Sequence, residues 1–237
     1  MENLMRQIVL DTETTGLVLE EGHRVIEIGA LEMVNRRLTS NHLHFYINPE
    51  RSIERDAIEI HGITDSFLID KPLFKSIATE LISFLKGAEL IIHNAPFDVG
   101  FLNHELKLTG QSFKALTHYC QVLDTLTIAR QKHPGQHNNL DALCRRYHVD
   151  NSNRDYHGAL LDAELLAQVY LLMTGGQTLL FEQQGLAVTS RSAAPVRPLG
   201  TDRDSLLVIR ANATETEAHQ TFLQILTENG LCLWTDQ

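Results

Sequence analysis

The sequence predicts an α/β fold in which helices flank a mixed β-sheet. The first observation is a set of three early segments, at residues 7–11, 24–35 and 42–47, which are apolar or alternate between apolar and polar side chains. Such segments are typical of strands, and their succession predicts a meander. The second observation is that short strands then alternate with segments of helical periodicity, which is typical of a sheet covered by helices.

Each element after the meander has its own signal. Lys71-Pro72 precedes apolar residues at helical spacing, which predicts a helix that ends at Gly87. Two more short strands are predicted, at residues 89–93 and 121–124. Four more helices are predicted, at residues 98–109, 125–132, 140–147 and 159–173.

The composition changes near residue 182. Residues 182–200 are rich in Gln, Ser, Ala and Pro and show no periodicity, which is typical of a flexible linker. A strand at 205–210 and a helix at 214–228 are expected beyond the linker, and residues 231–234 are apolar. This tail is too short to bury a core of its own.

Composition and charge restrict the classes of protein to consider. No stretch approaches the roughly 18–20 apolar residues of a membrane span, and no export signal is seen at the N-terminus. Cys120, Cys144 and Cys232 are scattered, so we expect reduced thiols in a cytoplasmic protein. The net charge of −10 argues against a protein that holds duplex DNA with a basic face. A nucleic-acid substrate would need metal ions, or a partner that delivers the strand.

Four carboxylates are candidate metal ligands. Asp11 and Glu13 are two residues apart on a predicted strand and therefore share a face, where a divalent cation such as Mg²⁺ or Mn²⁺ would neutralise them. The alternative for this pair is an exposed polar strand end. Asp162 lies on the apolar stripe of its predicted helix, where a lone buried carboxylate is costly. Asp98 follows a strand and opens a helix; for both Asp98 and Asp162 the alternative is an acid that stabilises a helix N-terminus.

His157 is the candidate general base. It precedes Asp162 at a junction between a loop and a helix, where we expect it to be exposed and able to move. A histidine next to a metal cluster is suited to taking a proton from water near neutral pH. Eight other histidines are interpreted as surface residues: His23, His42, His44, His118, His133, His137, His148 and His219.

These segments together resemble the DEDDh family of 3′→5′ exonucleases. The family's three motifs stand in order as DTETTG at residues 11–16, HNAPFD at 93–98, and His157 with four residues before Asp162. Gly158 occupies the position at which the tyrosine variant of the family has Tyr, so the histidine class is indicated. The resemblance implies a ribonuclease-H-like fold.

The chain also resembles, over nearly its whole length, the proofreading subunits of bacterial replicative DNA polymerases. The matching segments are 60–64 (IHGIT), 138–144 (NNLDALC), 150–152 (DNS), 205–211 (SLLVIRA) and 231–234 (LCLW). Pro96 stands where relatives often have Ala. The resemblance implies two-metal hydrolysis of the phosphodiester at a 3′ end of DNA, with release of a nucleoside 5′-monophosphate.

The resemblance also implies roles for individual residues. Asp11 would bridge two Mg²⁺ or Mn²⁺ ions, Glu13 and Asp162 would complete the first site, Asp98 would hold the second, and His157 would be the base. Asp11, Glu13 and Asp162 would also contact the substrate. Three more residues would contact the terminal nucleotide: Thr14, Asp56 and His61.

Two segments are candidate partner-binding elements. Gln177, Leu180 and Phe181 follow the last helix of the domain, and they resemble a peptide that binds the bacterial sliding clamp. The alternative is that Leu180 and Phe181 pack on the exonuclease domain. The tail resembles a segment that docks on the polymerase subunit. The expected organisation is an exonuclease domain at 1–175, a clamp-binding peptide at 176–181, a linker at 182–201 and a polymerase-binding tail at 202–237.

Two other functions compete with proofreading. An RNA-processing 3′→5′ exonuclease of the same fold would share the carboxylates, but it needs neither a clamp peptide nor a docking tail. A catalytically silent adaptor between polymerase and clamp would have no need to retain Asp11, Glu13, Asp98, His157 and Asp162 together.

Overall fold

A computed structural model describes residues 5–152, 156–175 and 211–228. Its centre is a mixed five-stranded sheet in the order β3-β2-β1-β4-β5. The strands are β1 (Arg6–Thr14), β2 (Val25–Val34), β3 (Arg37–Tyr46), β4 (Glu89–Ile92) and β5 (Gln121–Asp124). The first three pair antiparallel and form the predicted meander, while β4 and β5 continue the sheet in parallel with β1. The predicted fold class is confirmed.

Eight α-helices lie in the described part of the chain. They are α1 (Arg55–His61), α2 (Asp65–Leu68), α3 (Phe74–Leu85), α4 (Ala95–Leu108), α5 (Thr125–Lys132), α6 (Leu140–Tyr147), α7 (Ala159–Thr174) and α8 (Ala213–Glu228). The last four were predicted to within one residue. Helix α3 begins three residues after Lys71, and α4 begins at Ala95 because Asn94 takes a left-handed conformation that turns the chain out of β4.

Both faces of the sheet are buried by helices. Ile8 and Leu10 of β1 pack in the cluster that includes residues of α3 and α4, whereas Val9 packs with Ile91 and with α7. Alternate residues of β1 therefore point towards different helices, as the two-residue period of a strand requires. Continued along β1, this alternation places Thr12 on the α4 side of the sheet and Asp11 and Glu13 on the α7 side.

Several of the predicted elements fall on residues that the structure does not describe. The expected strand at 205–210, the linker and the clamp-peptide residues Gln177, Leu180 and Phe181 lie outside the described residues. The described residues up to 175 and those at 211–228 belong to separate units of the chain. Among the described helices, none combines the length and the apolar character that crossing a membrane requires.

Candidate active site

The two carboxylates of the first motif lie at the end of β1. Asp11 and Glu13 are partly buried, and their cross-strand partners on β2 are Gly29 and Glu27. Strand β1 pairs with β4 only from Gln7 to Val9, so the segment that carries both acids extends past β4. The sequence prediction that Asp11 and Glu13 share one strand face agrees with this register.

Helix α7 brings the third carboxylate to the same place. Asp162 lies in its first turn, and this carboxyl residue is only 3% exposed. Leu166, Val169 and Met173 of the same helix are buried, as the predicted stripe required. The start of α7 comes very close to the sheet at Gly29, where any Cβ atom would overlap the backbone of the helix. A glycine is therefore needed opposite Asp11.

His157 lies between the third carboxylate and solvent. Its Nδ1 is 3.4 Å from Oδ2 of Asp162, and its side chain is 43% exposed. One ligand atom each from Glu13, His157 and Asp162 fit within 4.8 Å of one another. The loop is attached to α1, because the backbone N–H of His157 donates to the carbonyl of Ile60 at 3.1 Å. The sequence predicted an exposed His157, and in the structure its side chain is partly exposed.

Asp98 reaches β1 from the first turn of α4. It is buried, and its Oδ1 accepts a hydrogen bond of 2.7 Å from the hydroxyl of Thr12, the residue between Asp11 and Glu13. Burial raises the pKa of Asp98 from 3.8 to about 7, although the Thr12 hydrogen bond acts in the opposite direction. A carboxylate with a raised pKa gains from a nearby cation, which replaces the proton.

One carboxylate organises the turn of the second motif. Oδ1 of Asp124, at the end of β5, accepts from the backbone N–H groups of Asn94 at 3.1 Å, Ala95 at 3.4 Å and Leu126 at 3.0 Å. It therefore joins the end of β4 to the start of α5. These hydrogen bonds fix where α4 begins relative to the sheet, and therefore where Asp98 lies.

The three residues expected at the terminal nucleotide occupy different environments. His61 is buried at the end of α1, where its Nδ1 accepts from the N–H of Ile63 at 3.0 Å and burial lowers its pKa. The hydroxyl of Thr14 donates to the carbonyl of Gly16 at 2.7 Å, so it holds the turn after β1. Asp56 is exposed in the first turn of α1.

Three residues near the site escaped the sequence prediction. His23 was interpreted as a surface residue, which is wrong: it is buried, with Nδ1 3.0 Å from the Thr15 hydroxyl and Nε2 3.2 Å from Glu54. Glu27 is a buried carboxylate in an otherwise apolar strand, and Gly29 is a glycine within a strand. Charge or glycine inside an apolar strand was the available signal for these two positions.

The chemistry of these groups suits a hard divalent cation. Glu13 and Asp162 supply carboxylate oxygens at one place, Asp11 stands beside Glu13 on the strand, and Asp98 is a buried acid whose raised pKa favours a cation. Oxygen ligands suit Mg²⁺ and Mn²⁺. The residues present therefore fit a metal site of this kind.

Comparison with known proteins defines the class. The family model described as Exonuclease matches residues 8–170. Solved structures with the same fold include Exonuclease X in complex with 5′ overhanging duplex DNA, at 23% identity and a TM-score of 0.54, covering 70% of this chain and 90% of that one. The zinc-bound complex of Escherichia coli Exonuclease I with single-stranded DNA has 19% identity and a TM-score of 0.63, and the match covers 76% of this chain and 42% of that one.

Curated relatives show which exonucleases the chain is most informatively compared with. DNA polymerase III subunit epsilon of Escherichia coli (strain K12) is 46% identical over 98% of both chains. The protein of the same name from Pasteurella multocida (strain Pm70) is 51% identical over 97% of this chain and 93% of its own length. The chain belongs to the exonuclease family and, within it, to the epsilon subunits of DNA polymerase III. The predicted proofreading 3′→5′ exonuclease is confirmed at this level, and the RNA-processing and silent-adaptor alternatives are not favoured.

Proposed function

We propose that the chain removes the 3′-terminal nucleotide of a DNA primer strand by hydrolysis that depends on two divalent cations, Mg²⁺ or Mn²⁺. The observation that supports it most directly is the approach of Glu13, His157 and Asp162, whose ligand atoms fit within 4.8 Å. The product is a nucleoside 5′-monophosphate, since water attacks phosphorus and the bond to the 3′-oxygen of the preceding nucleotide breaks.

The carboxylates divide between two cation sites in this proposal. Asp11, Glu13 and Asp162 would hold the first, and Asp98 together with Asp11 would hold the second. When bound, the cations supply charge that offsets the phosphate and the leaving oxygen. That supply matters here because the chain has a net charge of −10 and does not attract a polyanion by itself.

His157 takes the proton of the attacking water. Its Nδ1 lies 3.4 Å from Oδ2 of Asp162, and its side chain is 43% exposed, so water can reach the ring. Partial exposure keeps the ring in reach of solvent, to which the proton is later passed. The terminal nucleotide is held by Thr14, Asp56 and His61, and Asp11, Glu13 and Asp162 contact it at the scissile phosphate.

The partners follow from the epsilon subunits in the comparison, whose name places them in DNA polymerase III. We assign residues 202–237 to binding of the polymerase alpha subunit and residues 176–181 to the sliding clamp, with a linker at 182–201 that keeps the domain of residues 1–175 near the primer end. Helix α8 supports this assignment, because Phe222 is 57% exposed and no residue of α8 is buried. The cytoplasm is the expected location.

A degradation time course tests the hydrolysis. The substrates are a primer with a mispaired 3′ end and the same primer fully paired, each with Mg²⁺, with Mn²⁺ and with chelator. The expected result is stepwise loss of 3′ nucleotides in both metals, faster from the mispaired end, and none with chelator. Release of 5′-monophosphates that persists in chelator would reject the metal proposal, and digestion from the 5′ end would reject the polarity.

A titration tests the clamp assignment. Burying Leu180 and Phe181 in a partner pocket contributes about 1.5–3 kcal/mol each, so the double change to Ala weakens clamp binding by orders of magnitude. Hydrolysis of short single strands remains unchanged. If the two side chains pack on the exonuclease domain instead, the wild type shows no clamp binding and the double variant melts at a lower temperature.

A further inference from the structure

Tyr156 directly precedes the general base His157 and takes no part in the reaction described above. It is 60% exposed, yet its ring lies against the end of α1. A Cβ atom added to Gly62 would lie 3.2 Å from Cγ and Cδ1 of the ring and 3.5 Å from Cδ2. The ring therefore packs on the backbone of Gly62, where any side chain would crowd it.

The end of α1 makes two contacts with the segment that carries His157. Gly62 takes the left-handed conformation that ends the helix, with φ at 71°, and its N–H donates to the carbonyl of Ile58 at 2.8 Å. The last carbonyls of a helix lack a partner within it. One of them, the carbonyl of Ile60, accepts from the backbone N–H of His157 at 3.1 Å. Residues 156 and 157 therefore contact α1 in two different ways, by ring packing and by a hydrogen bond.

These contacts concern a catalytic group that no helix or strand holds. Asp162 lies within α7, whose start packs on Gly29, whereas His157 precedes the helix, which begins at Ala159. Nδ1 of His157 is 3.4 Å from Oδ2 of Asp162, which is longer than a usual hydrogen bond of about 2.7–3.2 Å. A general base must stay within reach of the water it deprotonates, and a misplacement of about 1 Å costs on the order of 10²-fold in rate.

We propose that Tyr156 is a positioning residue, which packs on Gly62 and thereby holds His157 beside the catalytic carboxylates. This rests on the proposed function, in which His157 is the base. The hydrogen bond to Ile60 fixes the backbone at one point, about which the segment could still turn, and the packed ring supplies a second point. Packing requires the ring and not the hydroxyl, so Phe at this position should serve as well as Tyr.

The experiment measures single-turnover hydrolysis of a short single-stranded oligonucleotide by the full chain in Mg²⁺. It yields the rate constant at saturating enzyme and, separately, the enzyme concentration that gives half of it. Tyr156→Ala is expected to lower the rate constant by about 10-fold, part of the 10²- to 10⁴-fold that a base contributes, and to change the half-saturating concentration by less than about 2-fold. Tyr156→Phe should keep the wild-type rate. Leu108→Ala removes an equally exposed side chain from the end of α4 and is the control.

A double-variant comparison tests whether Tyr156 acts through His157. The base is absent in His157→Ala, so adding Tyr156→Ala to it should cause no further loss of rate. The two changes are then strongly non-additive. A residue that only stabilises the fold would lower the rate in both backgrounds by the same factor.

The other side of the contact gives an independent test. Gly62→Ala places a Cβ against the ring and also strains the left-handed backbone. Gly110 has a φ of +67° and nothing within 4 Å of an added Cβ, so Gly110→Ala reports the backbone strain alone. The rate constant should fall in Gly62→Ala and stay unchanged in Gly110→Ala. In a Tyr156→Ala background there is no ring to displace, and Gly62→Ala should lower the rate no further.

Three results overturn the proposal: a wild-type rate constant for Tyr156→Ala, a loss that persists in the His157→Ala background, and a loss confined to the half-saturating concentration. The last would mean that the ring contacts the DNA instead. If the melting curve shows that Tyr156→Ala does not fold, the comparison of Gly62→Ala with Gly110→Ala carries the test. Failure of the proposed function is distinguishable, since His157→Ala itself would then hydrolyse the strand normally.

Discussion

The sheet with its catalytic cluster and helix α8 of the tail are held in place by different interactions. Around the site, elements from distant parts of the sequence pack together, and the contact of α7 with Gly29 of β2 places Asp162. In α8 no residue is buried. Tertiary packing thus defines the site, whereas local hydrogen bonds define the helix.

The local signals of α8 lie at its start. Oδ1 of Asn212 accepts from the N–H of Glu215, and Oε2 of Glu215 accepts from the N–H of Asn212, both at 2.9 Å. This reciprocal pair is a capping box. The helix thus carries its own start signal while Phe222 on it is 57% exposed. Four predictions test this difference, from the largest expected effect to the smallest.

Removing the base has the largest effect. We expect His157→Ala to slow hydrolysis by about 10²- to 10⁴-fold, because the attacking water loses its proton acceptor. The melting temperature should be unchanged, since the side chain is partly exposed. The exposed His148 supplies the matched control, and His148→Ala should hydrolyse normally. Near-normal turnover of the His157 variant would remove this residue from the mechanism.

Filling the contact between β2 and α7 comes second. Gly29→Ala places a Cβ against the backbone of Ala159 and Leu160, which should cost about 1–3 kcal/mol of unfolding free energy and displace Asp162. Urea unfolding and kcat measure the two effects. Gly100→Ala in α4 is the control, because nothing lies within 4 Å of the added atom. Equal stabilities of the two variants would contradict the role given to Gly29.

The third prediction concerns the melting temperature of Asp98→Asn in the absence of metal, which should differ from that of the wild type by an amount that depends on pH. Burial raises the pKa of this group from 3.8 to about 7, so the folded state binds its proton more tightly than the unfolded state. Without metal, its contribution to stability is present below about pH 4 and is lost as pH rises to about 7. Asp98→Asn does not titrate, and in chelator its melting temperature should gain on the wild type by on the order of 5 °C between pH 5 and pH 8.

The exposed Asp56 provides the comparison for Asp98. The melting temperature of Asp56→Asn should follow the wild type at both pH values. A constant difference between Asp98→Asn and the wild type would show that burial does not perturb Asp98.

Removing the cap of α8 should have the smallest effect. Asn212→Ala is expected to destabilise the helix by about 1 kcal/mol and leave hydrolysis of a short single strand unchanged. Amide hydrogen exchange over residues 213–220 of the full chain should become faster. The comparison fails if exchange stays the same, or if the variant hydrolyses the strand more slowly.

The fold was largely predictable because its elements carry local signals. The alternating segments of β2 and the apolar stripe of α7 follow from side-chain periodicity, and the motif acids stand at the ends of the strands that those signals define. Helices α1 and α2 were missed because seven and four residues are too few for a periodic pattern. His23 was misassigned because its burial depends on Thr15 and Glu54, which sequence periodicity does not relate to it.

The arrangement within the site was less predictable. The sequence places Asp98 with the other acids, and in the structure it accepts a hydrogen bond from the hydroxyl of Thr12, the residue between Asp11 and Glu13. The alternation along β1 predicts which residues share a face, but how far β1 extends past β4 depends on the pairing register, for which the sequence carries no signal. Glu27 was likewise absent from the prediction, because it interrupts an apolar strand that was assigned by its other residues.

The hydrogen bonds of Asp124 restrict how far the parallel strands can slide past each other. Ile92 of β4 is paired with Asp124 of β5, and the same Asp124 oxygen accepts from backbone groups on both sides of that pair. A slip of one residue between β4 and β5 would break these bonds and turn the buried side chains of β4 to the wrong face. Strand β5 contributes no catalytic group. Its Asp124 nevertheless fixes the register between β4 and β5, and therefore the position of Asp98 relative to β1.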